Sequence, residues 1–274
     1  MKSLGLLCAL CVVAGVARAG VYIETVSRDS KTGQSEAAEK WYVQDGNARI
    51  ESTDGVSIFK DGVVYAVDKA TKSYHVMDKP TVEALSAHMQ QVRQQMKDRM
   101  KAELDRMPPD KRKEIEEMMA RQGMGVDAKP AKPAVDATDT GKTQSINGRS
   151  CHVWDITRDG ALDQQYCVAP FASLPGGGDV QGLMQKYQSF FEQMSELMSG
   201  PGGGSDSMRE EFELWKKLGG YPLVTRSYAD GRLETTETQV KTWQAQAVPA
   251  SMFAVPSDYA RRDLLKDLDA ARQQ

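Results

Sequence analysis

Val56-Ser57-Ile58-Phe59-Lys60-Asp61-Gly62-Val63-Val64-Tyr65-Ala66-Val67-Asp68 is the stretch that decides the fold. Two runs rich in β-branched and aromatic residues flank one Asp-Gly pair. Asp and Gly tolerate the positive φ that a tight primed turn requires, so this pattern predicts a two-stranded hairpin. The same grammar extends outward. Val21, Ile23 and Thr25 alternate with Tyr22, Glu24 and Val26, and Trp41 and Val43 alternate with Tyr42 and Gln44. Strand character continues through Ala48–Glu51 and Tyr74–Met77. Further Asp-Gly pairs stand at Asp45-Gly46, Asp54-Gly55, Asp159-Gly160 and Asp230-Gly231, with Asn147-Gly148 as another turn. Five Asp-Gly pairs predict a mainly antiparallel sheet.

Helical periodicity interrupts the sheet twice. After Pro80, Thr81 is the expected cap, and Val82, Leu85, Met89, Val92, Met96, Met100, Leu104 and Met107 recur at spacings of three and four. Pro108-Pro109 ends that helix, and Asp110–Arg121 restarts it, giving a helical insertion over about 81–122. Leu183, Met184, Tyr187, Phe190, Phe191, Met194, Leu197 and Met198 form a second apolar stripe. A short helix is expected around Met208–Leu218. Residues 123–143 carry Lys-Pro, Ala-Pro, Asp and Thr with no apolar face, which predicts a flexible linker. The glycine runs at Gly176–Gly178 and Gly202–Gly204 read as hinges or flexible connections. Residues 257–274 read as a charged helical tail with Leu264, Leu265 and Leu268 on its apolar side.

The first nineteen residues read as an export signal. Lys2 is the positive start, Leu4–Val16 is almost unbroken apolar sequence, and Ala17-Arg18-Ala19 fits a small-x-small cleavage site. An uncleaved anchor is the alternative, but a spanning helix needs about 20 apolar residues. Cleavage removes Cys8 and Cys11 and takes the net charge from −3 to −5. The remaining pair, Cys151 and Cys167, predicts one disulfide in an oxidising compartment, with two buried thiols as the alternative. A three-residue loop at Arg158-Asp159-Gly160 would set Cys151 opposite Cys167 and place Trp154, Ile156, Leu162 and Tyr166 on one face. Residues 20–256 then form a single domain. No later segment is apolar enough to cross a bilayer.

Chemistry-bearing motifs are scarce. The mild acidity argues against a nucleic-acid partner, which favours a basic patch. His75, His88 and His152 are the only histidines and none is paired at metal-ligand spacing, so no metal and no cofactor is expected. A disulfide consumes the thiol beside His152. Gly141-Lys142-Thr143 ends like a phosphate loop, but Asp136 occupies the place of its first glycine. No Gly-x-Ser-x-Gly elbow is present, and no catalytic residue is assigned.

Methionine is the unusual component. Of 13 methionines after the initiator, 11 fall in or beside the helical segments. An apolar stripe at helical spacing ordinarily faces a core. Methionine is also flexible and polarisable and can repack around varied greasy shapes. The two roles coexist if the helices cover the concave side of a curved sheet. The candidate ligand-binding residues are therefore Met89, Met96, Met100, Tyr187, Phe190, Phe191 and Met194.

Two segments resemble the LolA/LolB/RseB-like group of bacterial envelope proteins. Asp61–Asp68 followed by Ser73-Tyr74-His75-Val76 is similar to that group's strand–turn–strand pattern. Val248-Pro249-Ala250-Ser251-Met252-Phe253-Ala254-Val255-Pro256-Ser257-Asp258-Tyr259 is similar to its C-terminal Pro…Phe…Pro segment. Asn147-Gly148-Arg149-Ser150-Cys151, with Asp159-Gly160 after it, resembles an uncharacterised secreted bacterial family of the same expected architecture. The resemblance implies an α+β fold: a curved antiparallel half-barrel with helices packed on its concave face. It also implies a soluble periplasmic location in a Gram-negative bacterium. The expected function is non-enzymatic binding of a hydrophobic ligand, a lipid or acylated peptide. An envelope protein-interaction or sensing module is the alternative.

Overall fold

The computed structural model describes residues 20–29, 31–121, 134–198, 205–229 and 232–272. The signal segment, the last residue of the expected helical insertion, residues 123–133 of the expected linker, the glycine run Gly202–Gly204 and the turn Asp230-Gly231 lie outside them. The fold is α+β, built on a large, open, curved and mostly antiparallel sheet.

Six strands follow one another from the first described residue: β1 (Gly20–Asp29), β2 (Ser35–Gln44), β3 (Asn47–Ser52), β4 (Val56–Lys60), β5 (Val63–Asp68) and β6 (Ser73–Met77). Each pairs antiparallel with the next. Helices α1 (Lys79–Arg106) and α2 (Pro109–Arg121) come next, then strands β7 (Val135–Ile146), β8 (Arg149–Arg158) and β9 (Ala161–Pro170). Helices α3 (Gly177–Met198) and α4 (Ser205–Leu218) precede β10 (Gly220–Ala229) and β11 (Arg232–Gln246). The chain closes with β12 (Ala260–Arg261) and α5 (Leu264–Arg272). Strands β7 to β11 form a second meander, and the pairing of β1 with β11 joins the two into one twelve-stranded sheet. Among the described strands only β12 is parallel to its neighbour, β6.

The tight turns follow from their sequences. Asp45-Gly46, Asp61-Gly62, Asn147-Gly148 and Asp159-Gly160 all have positive φ at both residues, the backbone that a two-residue primed hairpin loop requires. Asp54-Gly55 is different: neither residue has positive φ, and Ser52 N–H donates to the Gly55 carbonyl across a wider loop.

Register separates the two faces of the sheet. Ile23 lies opposite Trp41 and Trp243, Val43 opposite Val21 and Ala48, and Ala48 opposite Phe59. Paired residues share a face, so these side chains form one apolar surface. Helix α3 packs on it through Val180, Leu183, Tyr187 and Phe190, whose spacing of three, four and three makes one helical stripe. Helices α1 and α4 both contact α3. Ile58 alternates with Phe59 and points the other way, into a separate cluster with Val56 and Val67. The segment from Val248 to Tyr259 covers that cluster with Val248, Phe253, Met252 and Val255. The Pro…Phe…Pro stretch is thus a strap across the sheet face opposite α3.

Several local expectations need correction. Residues 135–143 are not linker but strand β7, paired with β8. Its polar sequence suits a strand at the sheet's edge, where of its residues only Ala137 is buried, and Gly141 lies in a bulge between Asp139 and Thr143. Asp78, not Thr81, caps α1: its Oδ1 accepts from the Thr81 N–H at 3.0 Å and from the Thr81 hydroxyl at 2.6 Å. Gly176–Gly178 is no hinge. A Cβ on Gly177 would overlap the Phe171 carbonyl oxygen, so this glycine lets the start of α3 press against backbone. The expected charged tail is helical over α5, and it is docked. Asp267 of α5 lies 2.7 Å from His75 of β6, and Asp269 lies 3.2 Å from His88 of α1.

The β8–β9 loop has two residues, not three. Arg158 faces Ala161, and a bulge after Ile156 shifts the register so that Val153 faces Cys167. A plain two-residue loop would put the cysteines one position out of step, on opposite faces. The bulge makes the offset two positions and returns both to one face. Cys151 and Cys167 form the disulfide on this diagonal, with Cα atoms 5.3 Å apart. Trp154, Ile156 and Tyr166 gather on the other face with Val168 and Leu218 of α4.

Candidate functional site

Alternating strand residues and two helix flanks converge on one apolar cleft. Trp41 and Ile50 face each other across β2 and β3. Leu183, Met184 and Tyr187 lie along the flank of α3, and Phe171 comes from the short turn after β9. Trp215 of α4 completes the wall, with its ring 6.3 Å from Tyr166 and 6.5 Å from Tyr221. These residues line a cavity of about 300 Å³. Gln181, Gln185 and Gln188, at helical spacing along α3, and Lys216 of α4 supply the polar rim. Lys216 is engaged with Glu213 at 2.8 Å.

A second cavity of about 480 Å³ adjoins the first and shares Trp41, Met184 and Trp215 with it. Its lining is more polar than that of the first, although apolar side chains still make up much of it. Glu39, Asp54, Thr25, Thr225 and Thr238 face it beside the ring of Tyr221. The Trp41 indole N–H donates to Glu39 Oε2 at 2.7 Å, which fixes both side chains.

Burial shapes the electrostatics. It pushes the Tyr187 phenol up to about 12, against a smaller opposing effect of its hydrogen bond with Ser57. Burial, with the nearby Glu39 charge second, also raises Tyr221. Both groups therefore favour the neutral form more in the folded state. Their contribution to stability is complete below pH about 10, where an unfolded tyrosine begins to ionise, and is lost as pH rises toward the folded value. For Tyr187 the loss is on the order of 2–3 kcal/mol by pH about 12. Urea unfolding at pH 8 and pH 11 is expected to show a falling midpoint, and Tyr187→Phe should flatten the fall. An equal fall in the variant would remove Tyr187 as its source.

The structure distributes the sequence-predicted site residues unevenly. Tyr187 lines the apolar cleft. Phe190 turns to Phe59, at 6.0 Å between ring centroids, and Phe191 stacks on Tyr187 at 5.7 Å. Met89, Met96 and Met100 lie on α1, which contributes nothing to the lining of the cleft, and Met96 is 65 % exposed. Met194 lies in α3, with its side chain outside the described residues. Trp41, Ile50, Phe171 and Trp215 were not among the sequence candidates. Among the described residues there is no His, Cys, Asp and Glu group arranged to hold a metal. Among them, too, no helix is long and apolar enough to cross a membrane.

No protein-family model matches the chain. No curated protein matches it either. Among solved structures, an uncharacterized conserved protein from Thermus thermophilus aligns at 7% identity and a TM-score of 0.41, over 89% of this chain and 91% of that one. PNGF-II aligns at 9% identity and a TM-score of 0.29, over 92% of this chain, which spans only 32% of PNGF-II. At these scores neither likeness assigns a function, and neither identifies the LolA/LolB/RseB-like group.

Proposed function

We propose that this is a non-enzymatic, exported periplasmic protein of LolA-like half-barrel type that binds the apolar part of a lipid or acylated peptide. The observation that supports this is the cleft walled by Trp41, Ile50, Phe171, Leu183, Met184, Tyr187 and Trp215 on the helix-bearing face of the sheet. Its volume of about 300 Å³ falls at the small end of the range for preformed ligand sites, and its walls are mainly apolar with a few polar groups at the rim. Met184 can change rotamer to admit chains of different shape.

Native mass spectrometry of protein purified from the periplasm is expected to show a bound acyl species, or uptake of a fatty acyl probe. Met184→Lys places a charge in the apolar wall and is expected to weaken uptake at least tenfold, with little change in unfolding midpoint because Met184 is only half-buried. A clean ligand-free mass with no probe uptake would overturn the proposal.

The exposed methionines support a second reading, an envelope protein-interaction or sensing module. Met96 of α1 and Met118 of α2 are 65 % and 49 % exposed. A photo-crosslinker at Met96 in intact cells should then trap one specific partner, and a diffuse ladder would count against it.

A further inference from the structure

We infer that the ligand is a single-chain amphiphile with a positively charged ammonium head, its chain in the apolar cleft and its head in the adjoining cavity that Glu39 and Asp54 line. The inference rests on the proposed binding of a hydrophobic ligand and adds the identity of the head group.

Three features of the second cavity carry it. The first is aromatic. Trp41, Trp215 and Tyr221 all face the cavity, and the Trp215 and Tyr221 ring centroids are 6.5 Å apart. Ring faces attract a cation lying within about 6 Å of the centroid, and enclosure between several rings is the arrangement that suits an alkylated ammonium. The second is charge. Glu39 and Asp54 line the same cavity, and no Lys, Arg or His does. Among the described residues neither carboxylate has an ion-pair partner within 4 Å. Glu39 is held by a neutral donor, the Trp41 indole N–H at 2.7 Å, which orients the carboxylate without cancelling its charge. The third is continuity. Trp41, Met184 and Trp215 border both cavities, so one molecule can span them, chain on one side and head on the other.

An anionic head would share its cavity with two carboxylates, half-buried Glu39 and exposed Asp54. A neutral sugar head would find hydroxyl partners but no use for the charge. The arrangement therefore discriminates by sign, through attraction of a cation and repulsion of an anion.

Tryptophan fluorescence titration of the whole mature protein tests this, because Trp41 and Trp215 form the shared wall. The probes are dodecyltrimethylammonium, dodecylamine (protonated at pH 7), dodecyl sulfate and dodecyl maltoside, each below its micellar concentration. At least one ammonium probe is expected to bind ten times more tightly than the sulfate and the maltoside. The preferred ammonium distinguishes a quaternary from a primary head. The double variant Glu39→Gln/Asp54→Asn keeps the acceptor for the Trp41 indole and removes both charges. It is expected to lower ammonium affinity to the maltoside level while leaving maltoside affinity within twofold, which also reports that the variant is folded. If all four chains bind alike, or the sulfate binds best, the head-group inference falls and the hydrophobic-ligand proposal stands. If none binds, both fall.

Discussion

Trp243→Ala is expected to destabilise the protein by about 3–5 kcal/mol, the usual cost of emptying a large buried aromatic site. Trp243 is 2 % exposed in the main core. It stands on β11 opposite Ile23 of β1, at the seam where the two meanders meet. Its ring meets Tyr221 edge to face at 5.0 Å, and its indole N–H donates to the Pro175 carbonyl at 2.8 Å. Truncation therefore removes packing at the seam and leaves the Pro175 carbonyl without that donor. Trp243→Phe should keep an aromatic ring in place and lose the hydrogen bond and part of the ring volume, at a smaller cost of about 1–3 kcal/mol. Urea unfolding separates the two variants. A Trp243→Ala protein within 1 kcal/mol of the parent would show that the seam does not depend on this side chain.

Removing the disulfide is the second large effect. Cys151 and Cys167 are both fully buried and are 16 residues apart in sequence. Closing a loop of that size restricts the unfolded chain by about 3 kcal/mol in the chain-entropy account. Cys151→Ala/Cys167→Ala should lose about that much, or about 6–12 °C in Tm for a domain of this size. Because both sulfurs are inside the core, a mild reductant should not act on the folded protein. Thiol labelling with and without urea measures this, and rapid reduction without denaturant would contradict the burial.

Sequence carried some of these features and not others, for physical reasons. The Asp45-Gly46, Asp61-Gly62 and Asp159-Gly160 turns were legible because positive φ is a local demand that few residues meet. The α3 stripe was legible because Leu183, Tyr187 and Phe190 repeat at helical spacing toward one core, which Val180 extends by one turn. Strand β7 was not. An edge strand pairs on one side only and needs little apolar alternation, so Asp136, Thr138 and Thr140 resemble linker sequence. The bulge after Ile156 left no composition signal, and together with the two-residue loop it decides how the cysteines meet. The cleft was half legible. Tyr187 emerged from the helix periodicity, whereas Trp41 and Trp215 are brought together by the pairing of β1 with β11 and the packing of α3 on both β2 and α4, long-range events that no window of sequence reports.

That pairing also sets the order in which the molecule can be completed. Gly20, at the start of β1, is bonded in register with Gln246, at the end of β11. A chain made from its N-terminus can assemble β1 to β6 as soon as they emerge, because each strand's partner follows directly. One side of β1 must then wait, unpaired, until nearly the whole polypeptide has been synthesised. Contacts so distant along the chain are slow to form, and an open strand edge in the interval invites association with other chains. One of the sheet's two central strands thus carries an open edge for most of biogenesis.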